Sequence, residues 1–289
     1  MAFGAFERMV AMRYLRARRQ EGFISVIAWF SLTGIALGVA TLIIVMAVMN
    51  GFRAELLGRI LGLNGHMTIY GAAGPISDWD AVTQRMRGLP DVIDASPLVE
   101  GQAMATANGV AGGALVRALR PEDMARRNLI VSNIKSGALA DFRGDDAAMI
   151  GIRMASRLGL SVGDRITLIS PQGNVTAFGT MPRLRAFRVA AIYEAGMFEY
   201  DNAFVFLPME AGQTFFRTGD GASAIEVFVR DPQRIWQARR EVVAAAGQGV
   251  RVLDWQQANS SFFNAVQVER NVMFLILTLI ILVAAFNIV

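Results

Sequence analysis

Two short stretches of this 289-residue sequence have the spacing of nucleophile motifs. Gly159-Leu160-Ser161-Val162-Gly163 matches the G-x-S-x-G elbow, which needs a strand–turn–helix setting and a later histidine and acid. The flanking sequence here reads helix–turn–strand, and no histidine follows, because His66 is the only one in the chain. Ser132-Asn133-Ile134-Lys135 matches S-x-x-K, but the companion motifs of that chemistry are missing. Cysteine is absent, so there is no thiolate and no disulfide. A zinc site of His and Cys ligands therefore cannot be built, and no Walker A phosphate loop occurs. The sequence offers no catalytic constellation, metal site or cofactor site. His66 reads as a core or interfacial histidine.

The residues suited to recognition lie elsewhere. The stretch 171–182, PQGNVTAFGTMP, reads as a twelve-residue loop between a strand at 163–170 and its partner at 187–193. Most hairpin loops are only about two to five residues long. Pro171 and Pro182 stiffen its two ends and remove ladder donors. Val175, Ala177, Phe178 and Met181 put apolar side chains on an exposed excursion, and Arg183, Arg185 and Arg188 follow directly. A stiff loop with exposed apolar residues suits docking of a partner; the plainer reading is an ordinary surface loop.

The elements that position this loop start with residues 24–49, which form an apolar run without a charge between Glu21 and Arg53. About 20 apolar residues suffice to span a bilayer as a helix, and helix is the only open-chain form that satisfies its own backbone in lipid. A signal peptide core would be shorter, roughly 7–15 residues, with a small-x-small cleavage site. Ser31, Gly34, Gly38 and Thr41 recur at spacings of three and four, a stripe that lets membrane helices approach closely. A second apolar run follows Arg270 and continues to Val289, just long enough to span. It has no exit flank, which suggests a truncated chain. Residues 1–22 read as a cytoplasmic, basic amphipathic helix at the membrane surface, 23–50 as the first membrane helix and 269–289 as the second. Residues 51–268 then form one large domain on the non-cytoplasmic side.

Composition agrees. The chain is 54% hydrophobic, with a formal net charge of +4. Arg8, Arg13, Arg16, Arg18 and Arg19 against Glu7 and Glu21 put most of that excess in the N-terminal arm, as suits a cytoplasmic leaflet. The remainder is nearly balanced, so the charge is no argument for nucleic acid. The large domain reads as mixed α and β. Strands are expected at 66–70, 92–107, 114–119, 147–150, 203–207, 224–229 and 250–253, with Asn108-Gly109 as a hairpin turn. Helices are expected after Ser77 as N-cap, from Pro121, over 152–158 closed by Gly159, and over 232–246. A further helix from Asp254 should run into the membrane.

Several blocks together resemble the N-terminal part of the lipoprotein-releasing permeases LolC and LolE, a MacB-like group. They are Arg13-Tyr14-Leu15-Arg16, Gly34-Ile35-Ala36-Leu37-Gly38-Val39, Val48-Met49-Asn50-Gly51-Phe52 and Ile60-Leu61-Gly62-Leu63. Towards the other end they are Asp254-Trp255, Phe263-Asn264-Ala265-Val266 and Ala284-Ala285-Phe286-Asn287-Ile288. The similarity runs along the whole chain and is most specific in the two membrane-proximal blocks. It implies an inner-membrane ABC transporter permease with four membrane helices and a large periplasmic domain between the first two, of which only the first two lie in this sequence. It also implies a separate LolD-like ATPase, a second permease subunit (self or paralogue), lipoprotein cargo and a LolA-like periplasmic carrier.

The resemblance places a carrier-binding hook at 171–182, with Pro171, Val175, Phe178, Met181 and Pro182 as its residues. A basic pad beside it falls on Arg185; a second pad position reads Thr167 here, so Arg165 or Arg183 would share that role. Cargo acyl chains would enter a cavity bordered by the first membrane helix. Met49, Phe52 and Leu56, at i, i+3 and i+7, could accept them, since thioether and aromatic side chains adapt to irregular chains. The plainer reading of those three is bilayer or domain packing. Two other architectures compete: a related MacB-like permease for efflux or envelope signalling, and a membrane sensor with a periplasmic ligand domain between two helices.

Overall fold

The computed structural model describes residues 22–176, 179–260 and 271–280, with residues 6, 7, 9, 10, 13, 268, 282 and 283. Most of the expected amphipathic helix over 1–22 falls outside the described residues, as do Ala177 and Phe178. The chain forms two units: Met1–Glu55 with Ser261–Val289, and Leu56–Ser260.

In the first unit, helix α1 begins at Gly22, and it continues without a break to Leu63, 42 residues in all. The helix thus runs past residue 50, where the membrane span is expected to end. A single Gly51 costs a helix only about 1 kcal/mol, and the residues after it are largely Leu, Arg and Glu, which are good helix formers, with no proline among them. Within α1, Leu32–Gly51 has a mean hydropathy of 2.5, apolar and long enough to cross a bilayer. Near the other end of the chain, Asn271–Ile280 is a shorter apolar helix. Most of the expected span beyond it lies outside the described residues.

The second unit is built on a ten-stranded sheet. In chain order its elements are β1 Met67–Gly71, α2 Trp79–Arg87, β2 Val92–Ala107, β3 Val110–Leu119, α3 Pro121–Ala125, α4 Asn128–Val131, β4 Ile134–Gly137, β5 Ala147–Gly151 and α5 Ile152–Leu158. They continue with β6 Arg165–Thr176, β7 Gly179–Tyr193, α6 Phe198–Ala203, β8 Phe204–Pro208, α7 Met209–Phe216, β9 Ala224–Val229, α8 Ile235–Ala246, β10 Val250–Asp254 and α9 Trp255–Ala258. The strand order is β10-β1-β9-β2-β3-β8-β5-β7-β4, and β6 pairs with β2 and β7 off this path. Val116, Ile150, Ile166, Leu168, Phe187, Val205 and Phe215 are in one buried cluster, with α5 and α7 packed on that face.

Local sequence accounts for much of this. Asn108 and Gly109 both take positive φ, 50° and 75°, the two-residue turn that matches strand twist. The Asn108 amide donates to the carbonyls of Leu158 and Gly159, tying the hairpin tip to the end of α5. Gly159 there is left-handed, φ 63°, as a C-terminal glycine should be. Ser77, by contrast, is not an N-cap. Ile76 forms a bridge to Ala222, which holds Ser77 in the turn, and α2 starts behind Asp78 without a side-chain capping bond.

Candidate docking site

The stretch 171–182 is not the open loop that its prolines suggest. β6 and β7 stay paired through it, with Asn174 opposite Met181 and Thr176 opposite Gly179. The register shifts between Ser170 opposite Arg183 and Asn174 opposite Met181, and both prolines sit at that shift. Proline cannot donate to a ladder and is tolerated at a bulge, so the same residues that argued against strand pairing mark the bulge. β6 pairs with β2 only over Thr167, Leu168 and Ile169. Beyond Ser170 the hairpin is thus a two-stranded ribbon that has left the sheet. Pro171, Met181 and Pro182 are exposed, Met181 by 63%. Val175 lies in β6, but its side chain is not among those described, and Phe178 falls outside the described residues.

Strand register separates the three arginines expected to form one pad. Residues opposite each other in a ladder share a face. Arg183 faces Ser170 and Arg185 faces Leu168, whereas Arg165 faces Arg188 on the other side of the sheet. Arg183 donates to the Phe215 carbonyl at 2.5 Å. Arg185 pairs with Asp145 at 2.8 Å and lies over the Phe187 ring. Arg165 and Arg188 instead border an exposed face with Thr167, Ile169 and Leu184. Met104, opposite Ile169, extends it. Leu184 is 63% and Met104 43% exposed. Sequence reading missed Leu184 and Met104; the alternation along β7, once the strand is known to start at Gly179, reveals Leu184, and the β2–β6 register adds Met104.

A buried charged network sits at the junction of α1 with the sheet. Glu226 is 3% exposed, and its carboxylate accepts from Arg127 at 2.5 Å and from the Gly65 N–H at 3.2 Å. Arg117 lies 3.5 Å from Glu226 and 2.6 Å from Glu100, and it donates to Asn64 Oδ1. Arg127 also donates to the Leu63 carbonyl, one of the helix-terminal acceptors that α1 cannot satisfy itself. Asn64 donates in turn to the Tyr200 hydroxyl. Burial raises the Glu226 pKa, and the adjacent Arg127 and Arg117 charges more than reverse this, so the group sits below its ordinary value.

His66 follows directly. It is buried, accepts the Val229 N–H at Nδ1 and meets Phe228 edge-on. Burial holds its pKa below the ordinary 6.5. The unfolded chain then binds the proton more readily, so stability falls as pH drops from 6.5 towards the lowered folded value. Thermal unfolding between pH 7.5 and 5 should show this loss. The loss should shrink in His66→Asn, whose Oδ1 can still accept from Val229; an equal loss in that variant would assign it to other groups.

The signature of the MacB-like periplasmic core domain matches residues 28–245. The chain is 33% identical over 287 residues to the "Lipoprotein-releasing system transmembrane protein LolC" of Neisseria meningitidis, covering 99% of this chain and 69% of that protein. It is 31% identical to the Xylella fastidiosa protein of the same name, with the same coverage. It is 27% identical over 285 residues to the "Lipoprotein-releasing system transmembrane protein LolE" of Haemophilus influenzae, covering 97% of this chain and 68% of that protein. The chain belongs to the LolC/LolE family of lipoprotein-releasing permeases.

The membrane-helix residues that the family resemblance drew in are placed unevenly. Met49 is half-buried on α1, while Phe52 and Leu56 lie in the same helix with side chains that are not described. Gly34 is open on its Cβ side, but a Cβ on Gly38 would lie 4.0 Å from Ile280 Cγ2. Ser31 is in the helix without a described side chain. Thr41 spends its hydroxyl on the Leu37 carbonyl of its own helix. The covered side of α1 includes Ile35, Gly38 and Leu42, and it shares Gly38 with the expected stripe. The two nucleophile-like motifs have structural roles. The Ser161 N–H donates to Asp164. Ser132 donates to Asn128, and Lys135 pairs with Glu194 at 3.1 Å.

Proposed function

We propose that this permease subunit extracts lipoproteins from the inner membrane and hands them to a soluble periplasmic carrier that docks on the β6–β7 ribbon. The ribbon's departure from the sheet beyond Ser170 carries the reading. A two-stranded projection with exposed apolar residues is poorly explained by the fold's own needs and is suited to insertion into a partner. The register shift at Pro171 and Pro182 fixes where the ribbon bends away. Met181 and Phe178 are the apolar anchors, and the exposed face with Leu184 and Met104 lies at its root. ATP hydrolysis belongs to a separate LolD-like ATPase, and a second permease subunit completes the assembly. Met49, Phe52 and Leu56 line the path of the acyl chains. Titration of the full chain in detergent with its cognate carrier tests the assignment, because a chain without the ribbon should not bind.

The proposal also fixes topology, with the N-terminus cytoplasmic and the Leu56–Ser260 unit periplasmic. The arginine-rich arm before α1 motivates this. The chain has no cysteine, so single cysteines at Gly22 and Gly173 report cleanly. On intact spheroplasts an impermeant thiol reagent should label the Gly173 position and spare Gly22; the reverse pattern would invert the topology.

A further inference from the structure

We infer that a polar cavity walled by the end of α1 and by α9 binds the extended polypeptide that follows the acyl anchor of the cargo lipoprotein. This rests on the lipoprotein reading above and gives the cargo's polypeptide a site of its own. The cavity measures about 210 Å³ and lies wholly within the Leu56–Ser260 unit. Leu61, Asn64 and Gly65 wall it near where the chain enters that unit, and Ala258 and Asn259 near where it leaves. Its floor is sheet. Thr68 stands opposite both Glu226 and Leu253, so the three side chains share one face. On the other face Met67, Ile69 and Val252 are buried, whereas Thr68, Tyr70 and Leu253 stay half-buried.

The charges in and behind the walls are paired off. Glu226 serves Arg127 and Arg117, Arg117 also serves Glu100, and Asp254 lies 3.5 Å from Arg239. An ionised ligand would be buried without a counter-charge of its own, a cost that a neutral ligand avoids. Hydrogen-bond donors are left over instead. Arg117 spends Nε on Glu100 and Nη1 on Asn64, and its Nη2 has no hydrogen-bond partner among the described residues. The Tyr200 hydroxyl accepts from Asn64, which leaves its own proton to donate. Burial holds the Tyr200 pKa above the ordinary phenol value, so that proton stays in place. Such donors, beside the rings of Tyr70, Tyr200 and Trp255, suit the carbonyl oxygens of a polypeptide, which are uncharged and recur at every residue.

The position of the cavity favours cargo over any other polypeptide. A lipid-anchored protein presents the first residues of its chain directly beside its acyl groups. Leu56, the last residue on the proposed acyl path, lies in α1 ahead of Leu61 in the cavity wall. The helical rise between them is about 7.5 Å, which about two or three extended residues cover at roughly 3.3–3.6 Å each. The third residue of the cargo can thus reach the cavity. Tyr70 walls both this cavity and a larger cleft that includes Pro171, so polypeptide held here has a lined route towards the ribbon.

The test uses the full chain in detergent and a synthetic lipopeptide, acylated at its N-terminal residue, neutral in sequence and bearing a bromoacetyl group on its third residue. The chain has no cysteine, so Leu253→Cys in the cavity wall and Val243→Cys on an exposed position of α8 each supply a single thiol. The lipopeptide should crosslink to the first variant and spare the second, and unlabelled lipopeptide should compete. Ala258→Trp fills the cavity from an exposed position. It should keep the unfolding midpoint and remove the crosslink. It should also weaken lipopeptide binding at least about tenfold, the scale of one hydrogen bond to a charged group. If the lipopeptide binds without labelling Leu253→Cys selectively, or if Ala258→Trp changes nothing, the cavity is not the site and the lipoprotein reading stands. If the lipopeptide does not bind at all, the lipoprotein reading fails and the inference with it. If free glycerol phosphate blocks the crosslink, the cavity takes a lipid headgroup and the inference is overturned.

Discussion

Glu226→Ala is expected to cost the Leu56–Ser260 unit about 3–5 kcal/mol, the scale for removing one partner of a buried ion pair. Glu226 serves two guanidiniums, with Arg127 at 2.5 Å and Arg117 at 3.5 Å. Its loss leaves Arg127 buried beside the Leu63 carbonyl and Ser96 hydroxyl, which accept hydrogen bonds but carry no charge. Arg117 keeps Glu100, so Arg127 bears most of the penalty. The Gly65 N–H also loses its acceptor, loosening the chain where α1 leaves for β1. Adding Arg127→Met to Glu226→Ala should recover part of the loss, because an apolar side chain does not need the missing carboxylate. Equal or greater damage in the double variant would mean that Arg127 stabilises through packing on Phe228 rather than through charge.

The same network sets an acid limit. Because the folded Glu226 pKa lies below the unfolded one, its contribution is present above the unfolded value and is lost as pH falls through the folded value. His66 loses stability at higher pH, just below 6.5. Asp201 acts oppositely: burial raises its pKa, so protonation on acidification relieves part of its cost. Acidification should therefore lower stability over two pH ranges, and the loss in the higher range should shrink in His66→Asn.

Local signals were readable and distant ones were not. The Asn108-Gly109 turn, the Gly159 cap and the alternation of β2 are decided within a few residues, and the sequence states them. The Arg127–Glu226 pair joins residues 99 positions apart, and no spacing rule connects them. β6 and β7 were half-read for a physical reason. Proline reads as the end of pairing, whereas here it marks a bulge inside it. The same error hid the alternation that puts Arg183 and Arg165 on opposite faces. Helix α7 was missed because Pro208 ends β8 and also directly precedes α7 as its N-cap, leaving no polar boundary between strand and helix. The continuation of α1 past Gly51 was missed because the change from apolar to charged residues marks the end of a membrane span, not the end of a helix.

Replacing residues 171–182 by Asn-Gly should abolish carrier binding while leaving the domain folded. Ser170 opposite Arg183 provides a ladder pair that a two-residue turn can close. The removed residues pair only with each other among the described residues, so the sheet loses no ladder to β2. Phe178→Ala should cost about 1–2 kcal/mol of carrier affinity, the usual scale for a truncated interface anchor. Met181→Ala should act in the same direction, since a side chain exposed by 63% contributes little to folding and is available for burial on binding. A paired ribbon loses less conformational entropy on docking than an open loop of the same length, so its register is itself a determinant of affinity. Pro182→Ala restores a backbone donor at the bulge and should weaken binding without removing any apolar contact. Calorimetric titration of the full chain with its carrier reads all four variants. Normal affinity in the ribbonless chain, with an unchanged unfolding midpoint, would place the carrier elsewhere.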